Sequence, residues 1–194
     1  MKSFEYDLRY LQAGLDAIEA YLLSDEVFWP LSANPPGDAP DYPRLTLGGL
    51  LLARERLAAY PTTNPQEVQR QQIISNLEEV RSKWRGAWEK KAEHSFSVRL
   101  RMWRDYIQEQ RNNPQENADR YSYEVRLRVM LRLLISESGR RQQAEGDLLT
   151  PLDGYLKNVL EMNGFIWEPE IQSGFPIDPY WYLYGYLPPK AKRN

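Results

Sequence analysis

The chain has 194 residues, 42% hydrophobic and 27% charged, with a net charge of −2. That balance suits a globular protein able to bury roughly 70% of its unfolded surface, and it excludes wholesale disorder. Near-neutral charge gives no overall reason to expect nucleic acid or an anionic membrane. The absence of cysteine removes disulfides and thiolate chemistry. No apolar run approaches the ~20 residues that span a bilayer, and the acidic start lacks the apolar core of a secretory signal. A soluble, cytoplasmic protein without membrane contact is the expectation.

In chain order, Phe4, Leu8, Leu11, Leu15, Ile18 and Leu22 recur at steps of four and three. That spacing predicts a first helix, capped by Ser3 and fraying near Ser24. Four prolines and a glycine within residues 32–43 then preclude regular structure and predict a surface strap. Thr46 is placed to cap a second helix that stops at Pro61. Gly48 and Gly49 in its first turn would admit a close neighbour.

The tetrapeptide NPQE occurs at 64–67 and 113–116, and TPLD at 150–153 follows the same logic. Each combines a cap, a proline suited to the first helical position and an acid, and so predicts a helix start. From Pro65, one stripe runs Ile73, Leu77, Val80, Trp84, Trp88 and a second runs Phe96, Leu100, Trp103, Ile107. Two helices are expected, with a break near EHSFS at 93–97, where Ser95 would cap the second. The helix after Pro114 is apolar on two sides, through Tyr123, Leu127, Leu131, Leu134 and through Tyr121, Val125, Val129, which predicts a central position. A polar loop over 137–147 and a short helix around Leu152–Leu160 should follow.

Beyond Gly164 the texture changes to prolines and dense aromatics. Residues 180–187 alternate with period two, which predicts a strand; the segment FIWEPEI at 165–171 is its candidate hairpin mate. The fold class predicted is therefore all-α: an irregular bundle of five or six helices over 1–163, with an aromatic C-terminal arm over 164–194 packed on it.

Candidate chemistry is sparse. The only histidine, His94, sits in no catalytic motif, one histidine cannot build the usual zinc sites, and the adjacent carboxylates point apart on a helix. Neither a P-loop nor a dinucleotide signature is present. No cofactor and no metal are expected. Segment 81–104 carries eight basic residues, Arg81, Lys83, Arg85, Lys90, Lys91, Arg99, Arg101 and Arg104, interleaved with aromatics. Such a mixture can bind single-stranded nucleic acid, though here the rings fall on the buried stripes. In the arm, Tyr180, Trp181, Tyr182, Tyr184 and Tyr186 would suit a protein partner or a second copy of the chain, because Tyr and Trp give rigid contact area with few rotamers to freeze. The leading expectation is a non-enzymatic interaction module. Nucleic-acid association through 81–104 is the alternative, and an enzyme with carboxylate or tyrosine chemistry the third.

Overall fold

A computed structural model describes residues 3–137 and 142–188. The fold is all-α. Four helices make its first two thirds: α1 (Phe4–Leu23), α2 (Leu47–Ala59), α3 (Asn64–Lys83) and α4 (Arg85–Asn112). Two single turns, α5 (Pro114–Asn117) and α6 (Tyr121–Glu124), lead to α7 (Arg126–Glu137) and α8 (Gln142–Val159). The arm holds strand β1 (Glu161–Met162), a 3-10 turn over Pro169–Gly174, the turn α9 (Ile177–Tyr180), a second 3-10 turn over Trp181–Leu183 and strand β2 (Gly185–Tyr186). Among the described residues no helix is long and apolar enough to cross a membrane.

α7 lies between α4 and α2, and α1 packs on the other flank of α2. The arrangement follows from the two-sided stripe of α7 and the residue before it: Val125, Leu127, Val129, Leu131 and Leu134 are at most 1% exposed. Caps fix the entries. Ser3 Oγ accepts the Tyr6 N–H at 3.2 Å, and Thr46 Oγ1 accepts the Gly49 N–H at 3.0 Å. The end of α1 is held from outside, because Lys91 Nζ donates to the carbonyls of Ser24 (2.6 Å) and Glu26 (2.9 Å). The proline-rich strap closes on itself through reciprocal backbone bonds between Trp29 and Leu45.

Several elements differ from expectation. α4 runs unbroken through Ser95, which is fully buried in its packed face and caps nothing. The bend falls instead at Trp84 (φ −109°, ψ 28°), where the ladder continues from Trp84 N to Val80 O and from Trp88 N to Trp84 O. The cap of α3 is Thr63, one residue before the expected Asn64, with the Gln66 side chain reaching back to the Thr63 N–H at 3.0 Å. The second NPQE makes a single turn, because the Asn117 amide folds back to the Asn113 carbonyl at 2.9 Å. TPLD starts nothing: α8 already begins at Gln142, and Pro151 sits on its exposed side while Leu149, Leu152 and Leu156 face inward. Of the polar loop expected over 137–147, residues 142–147 are thus helical, and 138–141 lie outside the described residues.

The expected strand over 180–187 is mostly turn. Its period-two pattern is overridden by packing: the Tyr182 carbonyl accepts from the buried Tyr121 hydroxyl at 2.5 Å, and the Tyr184 N–H bonds back to Trp181 O. Only Gly185–Tyr186 pairs, antiparallel to Glu161–Met162, with Asn163 N to Tyr184 O and Ile166 N to Leu183 O extending the contact. A Cβ on Gly185 would stand 2.6 Å from the Glu161 carbonyl oxygen, so that pairing demands glycine. The mate therefore lies mostly upstream of FIWEPEI. The Pro169–Gly174 turn packs on α2 instead.

Candidate ligand-binding site

A hollow of about 480 Å³ lies where α1, the strap, α2, α4 and α6–α7 meet. α1 supplies Tyr6, Asp7 and Tyr10, spaced along one side of its helix. The strap covers them: the Tyr42 ring lies 4.9 Å from Tyr6 and 5.6 Å from Tyr10. The two α1 hydroxyls donate to strap carbonyls, Tyr6 to Asp41 (3.3 Å) and Tyr10 to Arg44 (3.5 Å). α2 turns Gly49, Leu52, Ala53 and Arg56 to the hollow, and α7 adds Met130. A Cβ on Gly49 would stand 2.9 Å from the Tyr10 hydroxyl, so a side chain there would push the Tyr10 tip aside.

Two arginines in this wall behave in opposite ways. Arg56 is fully engaged. Nε donates to Asp7 Oδ2 at 3.0 Å, Nη1 to Glu168 Oε2 at 3.1 Å and Nη2 to the Tyr60 hydroxyl at 2.9 Å. Burial pulls its guanidinium down, but Asp7, with Tyr60 and Glu168, more than offsets this, so the net direction is up. It is a buried clamp joining α1, α2 and the arm.

Arg99 from α4 is 6% exposed and has no such partner. Nη2 donates to Thr46 Oγ1 at 2.9 Å, Nη1 has only the weak acceptor Met102 Sδ at 3.3 Å, and Nε bonds to nothing. The Phe28 ring lies 5.0 Å from its guanidinium carbon. No described carboxylate pairs with it, and residues 1, 2, 138–141 and 189–194 contain neither Asp nor Glu. Burial lowers its pKa, and Arg126 beside it lowers it further. Arg126 is likewise held below its ordinary value by burial. Its guanidinium lies 3.5 Å from the exposed Tyr123 ring and 3.7 Å from Glu124. Two guanidinium groups thus repel each other at this hollow, an arrangement that an anion between them would relieve.

The hydroxyls nearby hold on to their protons. Burial pushes Tyr6 up to about 12 and Tyr10 further still, and Asp7 is neutralised by Arg56. The wall offers fixed cations that can recognise a negative charge.

The expected sites fare unevenly. Tyr180 and Tyr182 are buried, lying under Arg132 and Arg128 of α7 at 5.4 and 4.7 Å, so the rings anticipated for a partner face the chain's own core. Trp181 and Tyr184 are half-buried, and Tyr186 is exposed with its hydroxyl on Glu161. The eight basic residues of 81–104 do not form one surface. Lys91 and Arg99 point inward, Arg81 pairs with Glu78 and the buried Glu137, and Arg85 pairs with Glu89. Lys83 stands 5.3 Å from the Trp84 ring. Lys90, Arg101 and Arg104 remain exposed, as does His94. Trp88 and Trp103 are buried and Trp84 half-buried.

Arg99 was legible only as a basic residue. The signal for its inward position is its place four residues before Trp103 and three after Phe96, inside the apolar stripe. Tyr6, Asp7 and Tyr10 carried no such signal, because the strap that makes them a wall is distant in sequence. Among the described residues, no three His, Cys, Asp or Glu side chains cluster as a metal ion would need. No protein-family model matches the chain, and no curated protein and no solved structure matches it.

Proposed function

We propose that this chain is a non-enzymatic binding module whose ligand is a small anion held in the Arg99 cavity. The observation that carries this reading is a buried guanidinium with one free nitrogen and no carboxylate, lining a cavity of ligand size. Burying an unmatched cation costs several kcal/mol, and a site that binds an anion recovers that cost on binding. The raised tyrosines and the engaged Asp7 support binding over catalysis.

The test is thermal denaturation with a panel of small organic anions and their uncharged analogues. Anions that bind the native state raise Tm by mass action. The wild-type protein should respond to anions and Arg99→Met should not. Equal shifts in both proteins would remove the cavity from the account.

Docking of a protein partner or a second copy is the second reading, favoured by the exposure of Met162, Ile177 and Tyr186 on the arm and its pairing strand. Sedimentation of wild type against a Met162→Ser/Tyr186→Ser double variant tests self-association; identical monomers in both would end that branch.

A further inference from the structure

We infer that the ligand at Arg99 is a monocarboxylate carried on an apolar body. This rests on the reading of the cavity as an anion site. Four arginines and two aspartates line the hollow, but their charges are not equally available. Arg56 is matched by Asp7 and Glu168, Arg126 shares its charge with Glu124, and Arg44 and Asp41 both stand exposed on the strap. The buried guanidinium of Arg99 has no carboxylate, so one negative charge balances it and a phosphate dianion would bring a charge in excess.

The donor geometry agrees. Thr46 Oγ1 accepts an Nη2 N–H of Arg99 and is itself fixed by capping α2, while the adjacent Nε N–H is enclosed without an acceptor. A planar donor edge matches a planar two-oxygen acceptor. Around it the wall is apolar: Phe28, Leu52, Ala53, Met102 and Met130. The methionines give that wall an adaptable, polarizable surface. Past Arg126 and Tyr123 the hollow adjoins a second one of about 250 Å³ bounded by Trp167 and Ser122, so a body longer than the main cavity has somewhere to go.

Isothermal titration calorimetry on the full chain decides the matter, using acetate, hexanoate, decanoate and 4-phenylbutanoate, with 4-phenylbutanamide and 3-phenylpropyl phosphate as matched controls. The expected result is affinity rising with the apolar body, and 4-phenylbutanoate bound at least about tenfold tighter than its amide, the scale of one charge-assisted hydrogen bond. Arg99→Met should abolish the preference for carboxylate over amide, and Arg99→Lys, which keeps charge without the planar edge, should keep part of it. Thermal melts establish that both variants are folded. If the amide binds as tightly as the carboxylate, or the phosphate binds more tightly, the monocarboxylate inference is overturned while the cavity remains a ligand site. If no probe binds wild type at millimolar concentration, the inference and the reading beneath it both fall.

Discussion

Arg56 and Arg99 are equally hidden, yet substitution should move stability in opposite directions. Asp7 is 2% exposed and Arg56 4%. Asp7→Ala strands the Arg56 charge beside a single remaining carboxylate, Glu168, and should cost about 3 kcal/mol, the low end for a broken buried pair. At this chain length that is a fall in Tm of roughly 6–12 °C. Arg99→Met removes a charge that has no carboxylate to lose, and should raise stability by about 1–2 kcal/mol. Denaturant melts of the two variants read both signs at once. A destabilised Arg99→Met would mean that its bond to Thr46 holds α2 in place and that Arg99 is structural. Gly174 offers a separate check. A Cβ there would stand 2.5 Å from Ala59 Cβ on α2, so Gly174→Ala should cost about 1–3 kcal/mol through overpacking.

At the scale of elements, the arm is structural. Phe175, Tyr180, Tyr182, Leu183 and Leu187 are each buried to 8% exposure or less, within the same core as the helices. Fully burying such a side chain contributes about 1.5–3 kcal/mol, and five of them rival the 5–15 kcal/mol that holds a typical domain. A chain ending at Gly174 should therefore lose cooperative unfolding and near-ultraviolet dichroism, not merely melt a few degrees lower. A sharp transition in that truncated chain would show that the bundle stands without its arm. The same geometry ranks the tryptophans. Trp103→Ala, at a fully buried position, should cost about 3–5 kcal/mol, and Trp84→Ala, at the half-buried bend between α3 and α4, less than half of that.

For the whole molecule, the many enclosed tyrosines predict an alkaline limit. Tyr6 is pushed by burial from 10.0 to about 12, and Tyr10, Tyr60, Tyr106 and Tyr182 are pushed higher. Below pH 10 these groups are neutral both folded and unfolded, so their burial brings no pH dependence. Above it the unfolded chain ionises while the folded chain cannot, and stability falls through and beyond the interval from 10 to about 12. Each such tyrosine contributes a slope of about 1.4 kcal/mol per pH unit. Tm should be flat through neutral pH and drop steeply above about pH 10, with the absorbance of the enclosed tyrosines appearing only as the protein unfolds. Most of the tyrosinate absorbance rising near pH 10 with no loss of Tm would mean that these hydroxyls are open to water.

Local patterns in the sequence determined the helices, because periodicity and caps are short-range: the stripe from Phe4 to Leu22, Ser3 and Thr46 as caps, the proline strap, the two-sided α7 and the all-α class can be read without tertiary information. Tertiary structure decided everything that depends on which distant surfaces meet. It carried α4 through Ser95, kept Pro151 inside a helix, and turned an alternating tyrosine run into a docked coil. It also separated Arg56 from Arg99. A sequence reports both as arginine, but whether a buried charge finds a carboxylate depends on residues 49 and 112 positions away, and only folding brings those together or leaves the charge unanswered.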